Sequence, residues 1–222
     1  MSNEQARATH NETLGIPPGL LIILTGPTAS GKTEIREKMT KKYKKIKSLV
    51  TTTSRKMREK EQEGIDYHFV TPQQFSQKVE DRDFLEYTEY GGNLYGMTKE
   101  ELNRILAGEL LISTMEISGA AKFADRVRES YDPDTAKIIL TRTLVIFVDV
   151  ENDEVLKRRY ALRRAGLGDF ETRRIQDKIM EKEYGHLFKA RIVNGDEKIE
   201  EAVSNVEKLI QANLNITLDE LS

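Results

Sequence analysis

The run Gly26-Pro27-Thr28-Ala29-Ser30-Gly31-Lys32-Thr33 is the part of this chain whose residue types and spacing most directly imply a chemistry. It has the pattern G-x-x-x-x-G-K-[ST]. Two glycines let a backbone wrap around a phosphate with its N–H groups turned inward. Lys32 sets a cation against β and γ phosphates, and Thr33 offers a hydroxyl to Mg²⁺. A helix that begins at this point adds the positive end of its dipole to the anion site. A glycine-rich turn can carry the same spelling by chance. Here the apolar run Leu20-Leu21-Ile22-Ile23-Leu24-Thr25 precedes it and an amphipathic segment follows. Binding of a nucleotide is therefore expected.

Phosphoryl transfer needs an acceptor. Arg55 and Arg58 stand three apart in Val50-Thr51-Thr52-Thr53-Ser54-Arg55-Lys56-Met57-Arg58. Paired guanidinium groups among hydroxyls suit a monophosphate, whose oxygens accept bidentate hydrogen bonds. A basic turn that makes surface ion pairs has the same composition, so these residues alone leave both readings open.

The elements that must hold these groups follow from periodicity. Residues 20–25 read as a strand buried on both faces, the kind found in parallel sheets. A helix is expected over 32–45, with Ile35, Met39 and Tyr43 on one face. Strands are expected at 48–53, 66–70, 110–115, 143–150 and 191–194, and a hairpin over 84–97 that turns at Gly91-Gly92. Helices are expected at 72–79, 99–106, 152–164 (with Asn152 as a cap), 171–186 and 196–214, the last with Ile199, Val203, Val206 and Ile210 inward. Buried strands alternating with amphipathic helices imply an α/β sandwich around a parallel sheet, with the strand-rich stretch 50–97 inserted as a subdomain.

Composition bounds the rest. With 222 residues the chain suits one globular unit, and the formal net charge of -2 gives no argument for a nucleic-acid or membrane partner. Cysteine is absent, which excludes disulfides and thiolate metal sites and points to the cytoplasm. The first 15 residues are polar and lack the apolar stretch of a secretion signal. Residues 1–18 and 215–222 read as tails. His10, His68 and His186 are scattered, so a histidine metal site is not expected, and His68 reads as structural.

Several motifs stand in one order. They are T-T-T-S-R-x-x-R from Thr51, E-x-x-G-x-D-Y-x-F-V from Glu61, F-L-E-Y from Phe84 and G-N-L-Y-G from Gly92. With the phosphate loop upstream, this set resembles the guanylate kinases over residues 20–209. The resemblance implies a P-loop three-layer α/β sandwich. Its core would be 19–49, 98–150 and 190–214, its acceptor-binding subdomain of mixed β structure 50–97, and its helical lid 151–189. It implies that Thr51, Arg55, Arg58, Tyr67 and Tyr95 hold the acceptor phosphate and that Glu86 reads guanine. A carboxylate suits that task, because guanine presents N1–H and the 2-amino group side by side. Glu116 is kept from the family's pair of acids, where Thr114 replaces the other. Met97 stands where the family usually has a hydroxyl residue against the base, with Thr98 beside it as the substitute.

The basic run Lys157-Arg158-Arg159-Tyr160-Ala161-Leu162-Arg163-Arg164 precedes Gly166 and Gly168, and Arg173-Arg174 follow. Such a run is most often a solvated helix face. Arginines closing over a transferring phosphoryl group would stabilise its spread charge. The resemblance favours that role for Arg159, for Arg174, and for Arg163 or its neighbour Arg164. Arg163 shares a helix face with Arg159 at a spacing of four. The implied activity is Mg²⁺- and ATP-dependent phosphorylation of GMP to GDP. The alternatives are a different acceptor, such as another nucleotide or a phosphorylated sugar, and a non-catalytic binding module of the same fold.

Overall fold

The structure, a computed structural model, describes residues 19–59, 61–90, 92–164, 168–188 and 190–214, with backbone alone for Tyr90, Arg163, Arg164 and Leu214. The two expected tails lie outside the described residues. In chain order the elements are β1 (Leu20–Thr25), α1 (Lys32–Lys42), β2 (Ile46–Ser48), β3 (Thr52–Thr53), β4 (His68–Phe69), α2 (Pro72–Glu80), β5 (Phe84–Tyr90), β6 (Asn93–Thr98) and α3 (Lys99–Asn103). They continue with β7 (Leu110–Thr114), α4 (Ile117–Ser130), α5 (Pro133–Thr141), β8 (Thr143–Asp149), α6 (Asp153–Arg164), α7 (Phe170–Tyr184), a 3₁₀ turn (Gly185–Leu187), β9 (Ala190–Val193) and α8 (Ile199–Leu214).

β1 explains the architecture. Its side chains alternate between two cores. Leu20, Ile22 and Leu24 pack with Ile35 and Met39 of α1 and with Val203, Val206 and Ile210 of α8. Leu21 and Ile23 pack on the other face with Ile117, Phe123 and Val127 of α4 and Ile139 of α5. A continuous apolar run is what a strand covered by helices on both faces requires. Burial of each such side chain contributes about 1.5–3 kcal/mol. Those five together rival the net stability of a domain, roughly 5–15 kcal/mol. β1 therefore sits at the centre of a five-stranded parallel sheet in the order β2–β7–β1–β8–β9.

A second sheet, in the order β4–β3–β6–β5, is mixed, with β3 and β4 parallel and the other pairs antiparallel. One carboxylate seats it on the core. Glu101 of α3 accepts from the Val50 N–H at 3.1 Å and pairs with Arg104 at 2.7 Å. His68 of β4 approaches the same carboxylate at 3.4 Å and Glu63 at 3.1 Å, the structural use expected of that histidine.

The structure departs from the sequence reading in three places. The single strand expected at 48–53 is two strands in two sheets. Leu49 still bonds to Ile112 of β7 at 2.9 Å, after which the chain crosses to β3. β-branched composition cannot tell which sheet a residue joins. The helix expected to reach residue 45 ends at Lys42, because Tyr43 takes an extended conformation and turns its ring into the core. Two helices, α4 and α5, were not anticipated. Ile117, Ala120, Phe123 and Val127 carry a helical period, but no motif drew attention to it.

Candidate active site

The phosphate loop leaves the end of β1 and enters α1. Its path needs residues in left-handed backbone, and Gly26, Ala29 and Gly31 take φ of 136°, 67° and 96°. Packing is equally strict at the two glycines. A Cβ on Gly26 would stand 2.3 Å from the Val148 carbonyl oxygen, and one on Gly31 would stand 2.2 Å from Asn194 Nδ2. No side chain caps the start of α1 at Gly31, so the helix's first amides remain available to an anion. Lys32 Nζ donates to the carbonyls of Gly26 and Pro27 at 2.7 and 2.8 Å, which lays the ammonium across the loop. Thr33, in the first turn of α1, is half-buried. Asn194, just past β9, braces the loop by donating to the Ser30 carbonyl at 2.9 Å, and its own Oδ1 is buried with no hydrogen-bond partner among the described residues.

Leu24 of β1 pairs with Thr114 of β7. The residues that follow β7 therefore emerge beside the loop, and there they floor a cleft of about 670 Å³. Its walls come from three elements. The second sheet supplies Glu86 and Tyr95, α4 supplies Lys122 and Arg126, and α7 supplies Arg173. Of the residues expected to bind the acceptor, the cleft gathers Thr51, Tyr67, Glu86, Tyr95 and Glu116. Tyr67 and Tyr95 meet edge to face at 5.9 Å between centroids, and burial pushes the Tyr67 hydroxyl's pKa up. Glu86 forms an ion pair with Arg126.

Arg55 stands at the rim, outside the lining. Glu61 grips it with two hydrogen bonds of 3.0 and 2.7 Å, and the rings of Tyr67 and Phe69 flank it at 5.5 and 5.7 Å. The Arg55 guanidinium, followed by the Arg58 N–H at 2.8 Å, holds Glu61 below the usual carboxylate range. The Arg58 side chain is 74% exposed. Thr98 also lies outside the cleft. It caps α3, accepting from the Glu101 N–H at 3.3 Å, while Met97 faces the cleft. Strand alternation sends adjacent residues to opposite faces.

The basic segment is more paired than its composition implied. Arg159 donates to the carbonyls of Asn194 and Gly195 at 3.1 and 2.6 Å. It lines a smaller hollow of about 170 Å³ beside Gly31, on the β9 side of the loop. Arg174 binds Asp153 and Glu181 and is 12% exposed. The side chains of Arg163 and Arg164, and Gly166, lie outside the described residues. From the same helix as Arg174, Asp177 reaches the phosphate loop and accepts from the Thr28 N–H at 2.7 Å. Asp169 accepts from the Tyr160 hydroxyl and from Arg173, and those bonds lower its pKa to about 2.

Sequence reasoning missed Lys122, Arg126, Asp177 and Asn194. For the first two a signal existed, since they stand four apart on α4 opposite its apolar face. For Asp177 and Asn194 there was none. Each acts across more than 140 positions of sequence, 149 for Asp177 to Thr28 and 164 for Asn194 to Ser30.

The family model described as guanylate kinase matches residues 19–213. Guanylate kinase of Wolinella succinogenes is 33% identical over 183 residues, covering 81% of this chain and 79% of that protein. Guanylate kinase of Fusobacterium nucleatum is 29% identical over 194 residues, covering 87% of this chain and 96% of that protein. In fold the chain is similar to the crystal structure of guanylate kinase from Anaplasma phagocytophilum, with a TM-score of 0.63 at 23% identity, over 90% of this chain and 89% of the other.

Proposed function

The chain belongs to the guanylate kinase family, and on that premise we propose that it transfers the γ-phosphoryl group of ATP to GMP, giving ADP and GDP. The observation that carries the reading is the meeting of two sites at the C-terminal ends of the adjacent interior strands β1 and β7. Through the pairing of Leu24 with Thr114, the phosphate loop and the acceptor cleft open side by side. Neither a sugar acceptor nor a non-catalytic module finds support among the relatives.

In the reaction an oxygen of the GMP phosphate attacks the γ-phosphorus, the bond to the bridging oxygen of the β-phosphate breaks, and ADP leaves. No protein nucleophile takes part, and catalysis rests on position and charge. Lys32 exchanges its two carbonyl partners for phosphate oxygens. Thr51, Arg55, Arg58, Tyr67 and Tyr95 receive the acceptor phosphate, Glu86 the base, and Glu116 the cleft floor between the two nucleotides. Arg159, Arg163 or its neighbour Arg164, and Arg174 form the closing cations of the lid, 151–189, above the core and the acceptor-binding subdomain, 50–97. For Arg159 and Arg174, closure means trading carbonyl and carboxylate partners for phosphate oxygens. The hollow beside Gly31 borders the loop on the side away from the acceptor cleft, and we assign it to the donor nucleoside.

Mg²⁺ fits this site. Thr33 would hold it through its hydroxyl, a hard oxygen donor at the mouth of the loop, and phosphate oxygens and water would complete the shell. Bound there, the ion neutralises charge on the β and γ phosphates. The substrates are free nucleotides, and we place the enzyme in the cytoplasm. No helix of the described residues is long and apolar enough to cross a membrane.

The decisive measurement is a coupled assay of ADP release with ATP, Mg²⁺ and each of GMP, AMP, CMP and UMP, with GDP identified by chromatography. GMP is expected to be strongly preferred. Absence of GDP, or equal turnover of AMP, would overturn the assignment.

A further inference from the structure

Glu86 of β5 and Arg126 of α4 form an ion pair in the wall of the acceptor cleft, and both side chains remain partly open, at 25% and 31%. They come from different layers, β5 from the second sheet and α4 from the helices over the core. The side chain opposite Glu86 in strand register is Met97, 2% exposed, whose thioether donates nothing. Lys122 lies one turn before Arg126 on the same helix and lines the same cleft.

A carboxylate beside a guanidinium forms a composite edge. It presents an N–H donor and then two oxygen acceptors, in the order donor, acceptor, acceptor. The Watson–Crick edge of guanine reads O6 acceptor, N1–H donor, 2-amino donor, which is the complement of that edge. Adenine presents an amino donor where guanine has O6, so its amino group would meet the Arg126 N–H with donor against donor. The pairing leaves capacity for this contact. A guanidinium has five N–H donors and a carboxylate about four acceptor sites, and one ion pair uses only part of each.

We propose that Arg126 is a specificity-determining residue that donates to O6 of the guanine base while Glu86 takes N1–H and the 2-amino group. This rests on the reading that Glu86 faces the acceptor base. The pair then selects guanine as a unit. The donor to O6 comes from the helix that flanks the cleft, and the acceptors come from the sheet.

The test compares kcat/KM for three acceptors, namely GMP, inosine monophosphate, which keeps O6 and N1–H but lacks the 2-amino group, and 2-aminopurine riboside monophosphate, which keeps the amino group but lacks both O6 and N1–H. Arg126→Met and Arg126→Ala are each expected to lower the value for GMP and for inosine monophosphate by about tenfold or more, the scale of a hydrogen bond to a charged group. The 2-aminopurine acceptor should be unaffected, and so should the KM for ATP. Arg126→Lys should recover part of the loss. Equal loss on the 2-aminopurine acceptor would mean that Arg126 only orients Glu86, and unchanged GMP turnover would mean that it touches nothing; either result overturns the proposal. Glu86→Gln separates this from the reading beneath it. That variant should impair GMP and inosine monophosphate, both of which present N1–H to the carboxylate, and if it impairs neither, the base does not lie at Glu86 and the site assignment itself fails.

Discussion

In the proposed reaction Lys32 and Arg55 divide the phosphates between them. Lys32 lies across the phosphate loop and donates to the carbonyls of Gly26 and Pro27, where an incoming polyphosphate would gain a full charge contact with its ammonium. Lys32→Ala is expected to lower kcat by about 10²–10³, the loss typical of one preorganised donor at the reacting group. Its melting temperature should stay close to that of the parent, and turnover near the parent's would remove Lys32 from the mechanism. Arg55 is held instead by Glu61 and two rings at the rim of the acceptor cleft. Arg55→Ala should raise the KM for GMP about tenfold or more and leave that for ATP nearly unchanged. Glu61→Gln should do the same more weakly, because it frees the guanidinium from its place. The exposed Arg58 should matter less than Arg55. If Arg55→Ala raised both KM values alike, the separation of the two sites would be wrong.

Helices α6 and α7 are fastened to each other by carboxylates. Asp153, at the start of α6, binds Lys178 and Arg174 of α7. Asp169, at the start of α7, binds Tyr160 of α6 and Arg173 of α7. Hydrogen bonds, from Lys178 to Asp153 and from Tyr160 to Asp169 first among them, hold both carboxyls below the usual aspartate value of 3.8, Asp169 at about 2. A lowered folded-state value means stability that is fully present above about pH 4 and is lost as the pH falls toward 2. Asp169→Asn should therefore unfold at lower urea than the parent at pH 7, with the gap narrowing as the pH falls through 2. A gap of the same size at both pH values would show that Asp169 contributes through packing and not through its charge. Asp177 ties α7 to the phosphate loop through Thr28, a contact that bound phosphate would compete for.

At the scale of the whole chain, the acceptor cleft is bounded by the core sheet, the second sheet, α4 and α7 together. A ligand there binds only the assembled molecule and must stabilise it. Mg²⁺-ATP at a hundred times its Kd should add about 2.7 kcal/mol. For a chain of 222 residues that is a rise in Tm of roughly 5–10 °C. GMP should give its own rise, and the Lys32→Ala variant should lose most of the first while keeping the second. A flat thermal response to Mg²⁺-ATP would contradict nucleotide binding at the loop.

The sequence by itself determined whatever rests on local chemistry. The phosphate loop was legible because its glycines, lysine and hydroxyl are consecutive and only one backbone path serves them. β1 was legible because a strand covered on both faces must be apolar throughout. The order of motifs determined the family. Only the tertiary structure decided how residues far apart meet. It split residues 48–53 between two sheets, since β-propensity is blind to the neighbouring strand. It turned Met97 toward the cleft and spent Thr98 on a helix cap. It set Arg126 beside Glu86, Asp177 on the Thr28 amide and Asn194 under Ser30. Each of those contacts joins segments that are independent in the unfolded chain. Their pairing is fixed by the packing of the layers and leaves no trace in the local spacing of residues.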